Sequence, residues 1–600
     1  MINWLDNRTG FKQILSDALF ESIPGGARWR YVWGSTLTFT FFVQMVTGIM
    51  LWMAYSPSAQ TAWESVFYIQ HEMAFGWLLR GVHHYTAQAM NILLVLHLLQ
   101  VIIDGAYKAP REINFWFGIG LLNLVLALSL TGYLLPWDQK GYWATKVTTS
   151  IMAITPVIGP SLEKLVVGGA EYGHHTLTRF FAFHAGLLPA AVVALIAGHI
   201  YLFRRHGITP KKPLQRPDAM FWPDQVLKDA VACLAVFAVV LLFVVKGQIL
   251  GDGHLGASLG APAEPSEPYA AARPEWYFLF LFQFLKYFPG ENEIYGALVI
   301  PSAVIGLICL MPFIGRWRIG HAFNLLVMFG LLGGIAFLTF MAIAEDRSKQ
   351  EYLQAVVAAD QAAERVRVLA QGPTGIPVTG AVTLLRNDPL TQGPKLFAAH
   401  CASCHRYDGH DGLGNTVEDE PSAADLKGFA SREWLSQLLD PALIATDKFF
   451  GKTKFADGKM AKFVNRKVAN FDDDEMEQLR KAIIALSAEA GLPSQSEQDS
   501  AESEIIQAGT DHLLDDIGCA DCHEFHFEDE DATAPDLTGY GSREWLISMI
   551  ADPTHEALYG ESNDRMPSFS PDGILSRKEI ELLADWLRGD WYTPATATAE

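Results

Sequence analysis

At 600 residues the chain is too long for one hydrophobic core, so several domains are expected. Half of its residues are hydrophobic and only 18% are charged, yet the formal net charge is −21. Soluble proteins carry about a quarter charged residues, so this composition argues against an ordinary soluble enzyme, and the negative charge argues against a nucleic-acid binder. Splitting the chain resolves the conflict. Residues 1–344 carry 22 Lys and Arg against 19 Asp and Glu, whereas residues 345–600 carry 23 against 47. The sequence reads as a membrane half joined to an acidic soluble half.

In chain order, a polar N-terminal stretch with Arg28 and Arg30 precedes the first apolar run, which is expected to be an uncleaved anchor. Seven apolar runs are long enough to cross a bilayer as helices: 32–54, 77–103, 114–134, 181–203, 229–248, 294–314 and 320–343. An aromatic stretch at 276–288 reads as the approach to the sixth. The connection after the fourth run, from Arg204, Arg205 and His206 through Lys211, Lys212 and Arg216, carries five Lys and Arg and marks the cytoplasmic side. Lys108 with Arg111, and Arg316 with Arg318, fall on that side if helices alternate. The N-terminus is then cytoplasmic, and an odd helix count places everything after residue 344 outside.

Four histidines lie within these runs. His83 and His97 are 14 residues apart on the second helix, and His184 and His199 are 15 apart on the fourth. At about 1.5 Å per residue each pair spans roughly 21 to 23 Å and, after about four turns, returns to nearly one face. Intramembrane ionisable groups default to function over simple helix bonding. The spacing predicts two stacked haems, one held by His83 with His184 and the other by His97 with His199. His84 has no counterpart at matching depth. Gly34 and Gly48 on the first helix, and Gly118 and Gly132 on the third, repeat the 14-residue interval. Helix packing alone explains glycines about as well, but the shared interval favours clearance for a flat macrocycle.

Residues 345–372 look helical and polar, and GPTGIPVTG then breaks the chain into a linker. The region beyond the linker is duplicated: DLKGFASREWL at 425–435 recurs as DLTGYGSREWL at 536–546. Cys401-Ala-Ser-Cys404-His405 and Cys519-Ala-Asp-Cys522-His523 each form C-x-x-C-H, the attachment motif for haem c. A zinc half-site or a redox pair also uses C-x-x-C, but the adjacent His, the duplication and a downstream Met in each copy favour haem. Each copy ends in Met460 or Met566 followed by an amphipathic closing helix, and these methionines are the expected sixth iron ligands. Met476 competes with Met460, but it falls within the closing helix. Cys233 and Cys309 sit in apolar runs and act as small hydrophobes. Haem c is attached on the outer side of energy-transducing membranes, which agrees with the helix count.

The stretches RGVHHYTAQAMNILLVLHLLQV, YKAPREINFW, TGYLLPWDQKGYWATK, TPVIG and TLTRFFAFHAGLLP resemble cytochrome b of quinol:cytochrome c oxidoreductases, and look most like cytochrome b6. RPEWYFLFLFQFLKY resembles the subunit IV region of the same family, and residues 381–595 resemble two class I cytochrome c domains. The resemblance implies an all-α protein. A b6-like di-haem b domain spans 1–215, a subunit IV-like quinone-site domain 216–344, a helical segment and linker 345–380, and cytochrome c domains 381–492 and 493–600. It implies two non-covalent haems b, two covalent haems c, and Arg80 and Arg111 as propionate partners. Pro274, Glu275, Trp276 and Tyr277 match the PEWY motif of the outer quinol site, with Glu275 as proton acceptor and Tyr133 and the helix around 137–147 lining the pocket. A helix cap is the plainer role for Glu275. Arg204 resembles b6, whereas Lys228 and Asp229 resemble the inner quinone-site pair of the bc1 type, a helix-start charge pair being the alternative. Val32 stands where b6 proteins carry a haem-tethering Cys, so that extra haem is not expected.

The implied activity is a proton-translocating Q cycle in a bacterial inner membrane, with the cytochrome c domains periplasmic. Every Cys is already assigned, so a separate Rieske iron–sulfur protein is required. The quinone pool, a soluble cytochrome c or terminal oxidase as acceptor, and a second copy of the chain are the other implied partners. The alternatives are a non-bifurcating haem b quinol dehydrogenase and an electron-conduit anchor subunit. The acidic half either steers a basic carrier or serves solubility.

Overall fold

The computed structural model describes residues 2–209, 217–251, 253–527 and 532–594. Lys211, Lys212 and Arg216 of the predicted inner connection, and the proposed boundary at 215/216, lie outside the described residues. The chain forms two compact units, one of residues 1–367 with 376–382, the other of 368–375 with 383–600. The described residues are mostly helical, as expected, and include two short strands.

The first unit holds seven helices long and apolar enough to span a bilayer. These are α1 (Trp29–Trp52), α2 (Gly76–Ile103), α3 (Glu112–Tyr133), α5 (His174–His206), α6 (Phe221–Val244), α8 (Gly290–Ile314) and α9 (Gly320–Ser348). Between them lie α4 (Gln139–Ala153) and α7 (Trp276–Leu285). The fourth span starts earlier than hydropathy indicates, because α5 continues through a wide turn at Phe183–Leu187. Pro189 follows at the start of the regular helix, and a π turn absorbs the hydrogen bond that proline cannot donate. His184 sits in that turn. Large apolar side chains such as Phe42, Leu234, Leu242 and Phe337 are more than half exposed on these helices. Water would penalise such a surface, whereas hydrocarbon satisfies it, and the helices bond their own backbones. This is a multi-pass membrane protein.

The helices pair α1 on α2 and α3 on α5, and α6 packs across α1 and α2. Strand β1 (Ser22–Ile23) pairs antiparallel with β2 (Ala219–Met220) in the register Ser22 to Met220, and Gly25 N donates to Asp218 Oδ1 (2.9 Å), tying the N-terminal segment to the start of α6. The polar helix predicted at 345–372 is α10 (Gln350–Ala370).

The second unit contains α11 (Pro389–His400), α12 (Arg432–Leu438), α13 (Lys459–Arg466), α14 (Asp473–Glu489), α15 (Ser503–Asp511), α16 (Arg543–Ala551) and α17 (Arg577–Arg588). Side-chain caps start most of them: Ser431 and Ser542 cap the two SREWL helices, and Asp472 and Ser576 form capping boxes for the two closing helices. The repeats therefore share local structure. Their packing, however, does not follow the division at 492/493. Helix α11 of the first repeat packs on α17 of the second, and α14 of the first packs on α15 of the second. The physical reason is that each opening helix buries its apolar face against a closing helix. The short connection from α14 to α15 makes its neighbour in sequence the nearest choice, leaving α11 for α17.

Candidate functional site

The intramembrane histidines meet in the two expected pairs. The His83 and His184 rings lie 6.3 Å apart, centroid to centroid, and those of His97 and His199 lie 6.5 Å apart. Metal–imidazole bonds of about 2 Å on either side of one iron set such rings about 6 Å apart. His184 Nδ1 donates to Leu128 O (3.1 Å) and His199 Nδ1 to Asn114 O (3.0 Å). Spending Nδ1 on a carbonyl fixes the tautomer and leaves Nε2 free as a metal ligand. His83 Nδ1 is 2.8 Å from Thr47 Oγ1, and His97 Nδ1 is buried without a partner among the described residues.

The four glycines face these rings one for one. A Cβ on Gly132 would stand 2.5 Å from His184 and one on Gly48 3.3 Å from His83. At the other depth, Gly118 would come within 3.5 Å of His199 and Gly34 within 3.8 Å of His97. Each layer is therefore two histidines and two glycines, a slot with two nitrogen ligands and room for a flat ring. Arg80 spends its guanidinium on Gln70 Oε1, Ala257 O and Ser258 O. Arg111 donates to His206 O, and its Nε is buried with no partner among the described residues.

A cavity of about 470 Å³ opens beside Pro274, Glu275 and Trp276, with Lys140, Arg273 and Asp346 also on its wall. Glu275 precedes the first turn of α7, but its carboxylate makes no cap bond. It turns instead toward Lys140 Nζ (3.7 Å) and accepts from Gln88 Nε2 (3.2 Å). Gln88 Oε1 in turn accepts from Trp276 Nε1 (2.6 Å). The Tyr133 hydroxyl lies 3.5 Å from Arg273 O, and the Tyr277 ring stands edge-on to Trp276. Arg273 forks onto both Asp346 carboxylate oxygens (2.7 and 2.9 Å), a bidentate pair that holds the PEWY segment to α9. Sequence reasoning did not name Gln88, Lys140 or this ion pair. Gln88 carried a usable signal, a polar side chain five residues from His83 inside a membrane helix.

Lys228 and Asp229 part company. Asp229 is buried and accepts from Ser35 Oγ and Gln225 Nε2 (both 2.8 Å), whereas Lys228 Nζ reaches back to Asp224 O (3.2 Å). Arg204 pairs with Glu21 (2.9 Å).

In the second unit, His405 Nδ1 donates to Ala424 O (2.8 Å) and His523 Nδ1 to Pro535 O (2.7 Å), again freeing Nε2. Burial pushes the Cys401 thiol up to about 12 and the Cys519 thiol up to about 11. Zinc sites and redox pairs use thiolates, which these positions disfavour, whereas a thioether is uncharged. The described residues hold no cluster of three or more His, Cys, Asp or Glu fit for a metal ion.

Separate stretches of the chain match known protein families. A family model described as cytochrome b/b6/petB matches residues 21–207, one described as cytochrome b(C-terminal)/b6/petD matches 262–359, and one described as cytochrome c matches 390–481. The menaquinol:cytochrome c reductase cytochrome b subunit of Geobacillus thermodenitrificans is 39% identical over 35% of this chain and 97% of its own length. Cytochrome b of Rhodobacter capsulatus is 30% identical over 58% of this chain and 78% of its own. Among solved structures, a hyperthermophilic respiratory complex III chain aligns with a TM-score of 0.49 at 28% identity, over 57% of this chain and 91% of that one.

The chain belongs to the cytochrome b/b6 family.

Haem b and haem c are the cofactors that the cytochrome b and cytochrome c families imply. The residues present fit both. The layered His and Gly slots offer nitrogens and clearance for a non-covalent macrocycle, and the C-x-x-C pairs with Nε2-free histidines suit a covalent one.

Proposed function

We propose that this cytochrome b/b6 chain is the quinol-oxidising core of a quinol:cytochrome c oxidoreductase running a Q cycle, with two fused haem c domains as its electron exit. The observation that carries this reading is α2 itself. One helix presents His83 and His97 to the two slots and, between them, Gln88 to the carboxylate of Glu275. The residue that orients the proposed proton acceptor and one histidine of each slot are thus built on one rigid element.

Bound in these positions, haem supplies one-electron carriers: two b at two depths in the bilayer and two c in the acidic unit. The chain's own residues handle the quinol. The cavity beside Pro274 takes the ring, and Tyr269, Trp276, Leu279 and Tyr352 provide its apolar and aromatic wall, whereas Tyr133 and Tyr277, expected there, are not among the residues that line it. Glu275 Oε2, oriented by Gln88, receives a proton from the quinol hydroxyl, and the positive Lys140 Nζ stands 3.7 Å from the other carboxylate oxygen. Asp229, held by Ser35 and Gln225, is the proposed proton donor at the inner quinone site, and Lys228 and Arg204, which bond to Asp224 O and Glu21 and not to Asp229, are the proposed basic residues on that side. Arg80 and Arg111 are the proposed propionate partners. The PEWY motif and the cavity favour a bifurcating enzyme over a plain quinol dehydrogenase. A separate Rieske protein completes that reaction, since all six cysteines of this chain have other roles in the reading.

The reading places the N-terminus in the cytoplasm of a bacterial cell and the haem c domains in the periplasm, in a homodimer that draws on the quinone pool. The acceptor is a soluble cytochrome c or a terminal oxidase. Glu275→Gln keeps size and hydrogen bonding but cannot take the proton. It is expected to slow quinol oxidation by about 10²-fold, with all haem spectra unchanged. Wild-type turnover in that variant would remove Glu275 from the mechanism.

A further inference from the structure

The two haem c repeats are interleaved in the second unit. One hydrophobic core joins Phe397 and Ala402, at the first C-x-x-C-H, to Leu546, Phe569 and Trp586 of the second repeat. Cys401 and Met566 both pack against this core. The other core joins Trp434, Leu435 and Ile483 of the first repeat to Leu513, Ile517 and Phe525 of the second, and Met460 and Cys519 both pack against it.

The contacts within each core are close. Gly393 on α11 sits so near α17 that a Cβ there would lie 2.3 Å from Trp586, and the Tyr407 ring, two residues past His405, stacks on Trp586 at 4.3 Å. In the other core, Gly509 on α15 allows the same approach to α14, with a would-be Cβ 2.0 Å from Lys481 O.

The chain changes cores at equivalent places in the two repeats. Gly428-Phe429-Ala430-Ser431 and Gly539-Tyr540-Gly541-Ser542 occupy the same positions of the duplicated motif. Gly428 (φ 69°), Ala430 (φ 61°), Gly539 (φ 63°) and Gly541 (φ 71°) all adopt left-handed backbone there. The two crossovers touch: the Phe429 and Tyr540 rings lie 5.4 Å apart, and a Cβ on Gly541 would stand 2.3 Å from Ala430 Cβ. Buried Arg588 ties the second crossover to the end of α14, donating to Gly541 O, Ala490 O and Gly491 O. Residues from about 430 to 538 thus close one core, nested inside a second core built from the segments on either side.

We propose that each haem c takes its histidine from one repeat and its methionine from the other: His405 with Met566, and His523 with Met460. The inference rests on the haem c reading of the two C-x-x-C-H motifs, and the two can fail separately. The deciding experiment removes one attachment site from the full-length complex with Cys401→Ala and Cys404→Ala, so that a single haem c remains at Cys519 and Cys522. In that background Met460→Leu is expected to abolish the red absorption band of methionine-ligated ferric haem c and to lower the midpoint potential, while Met566→Leu leaves both unchanged. The reverse pattern, or no change with either variant, overturns the crossed pairing. Absence of any c-type absorption overturns the haem c reading, and the pairing with it.

A second measurement leaves both haems in place. A protease site inserted between Ser496 and Ser500 allows the connection between α14 and α15 of the complete, membrane-bound protein to be cut. In the interleaved arrangement the fragment carrying Cys519 stays on the membrane through a high-salt wash, because each core contains both fragments. Its release into the supernatant overturns the proposal.

Discussion

In the function proposed above, the membrane unit and the acidic unit solve one problem, holding iron between two side chains, by different routes. In the membrane unit both ligands of each pair sit on long helices at matched depth, and helical geometry carries the 14- and 15-residue spacings directly into space. In the acidic unit each C-x-x-C-H motif is local, but the core it packs against is completed by a distant part of the chain. Short helices joined by loops impose no periodicity that says which closing helix an opening helix will cover. The comparison separates two kinds of information: spacing within a rigid element, and the choice of partner between elements.

The largest expected effect tests the first kind. If the slots are set by glycines at two depths, substitutions should be graded by the room each glycine has. Gly132→Val, where even a Cβ would fall 2.5 Å from His184, should eliminate the haem b of that layer. Gly34→Ala, with 3.8 Å to His97, should leave both haems b bound. Reduced-minus-oxidised spectra with haem quantification check both variants. Equal haem content in the two would show that the glycines serve helix packing only.

Much of the membrane site was legible in this way. The four histidines, the four glycines and the PEWY glutamate follow from spacing and motif, and the structure pairs the histidines as the interval requires. The helix around 137–147 was expected at the Glu275 pocket and does carry Lys140, but the contacts of Lys140 and Gln88 with the carboxylate were not legible, because they arise only through the tertiary packing of α4 and α2. Lys228 and Asp229 illustrate the converse error. Adjacent charges look like a pair in sequence, but consecutive helical residues point about 100° apart, and here one is buried while the other reaches back along its own helix. In the acidic unit both copies of the repeat could be read, but not the interleaving, since identical local motifs fit either arrangement equally well.

A smaller effect sharpens the second kind of information. Arg588 holds three carbonyls where the two cores meet and is itself buried. Arg588→Leu leaves those carbonyls without their donor, a cost of about 3 kcal/mol. Because the crossover belongs to both cores, the variant should shift both haem c domains to lower denaturant together, in one transition. Denaturant titration followed at each haem c, set against the haem b signal, makes the measurement. Two separate transitions, with only one displaced, would mean that the cores fold independently.

The smallest effect concerns the charge that first divided the chain. Residues 345–600 carry 24 more acidic than basic side chains, whereas residues 1–344 carry three more basic than acidic. An excess of this size on electron-exit domains would attract a basic soluble cytochrome and raise its encounter rate, a long-range effect that salt screens. Raising ionic strength from about 0.01 M to about 0.15 M shortens the screening length from about 30 Å to about 8 Å. Steering therefore predicts a several-fold fall in the second-order rate of electron exit to a basic cytochrome c. Quinol oxidation measured with a small neutral oxidant should stay constant over the same range, since an uncharged acceptor feels no field. A rate to the basic cytochrome that is equally flat would assign the acidic surface to solubility alone.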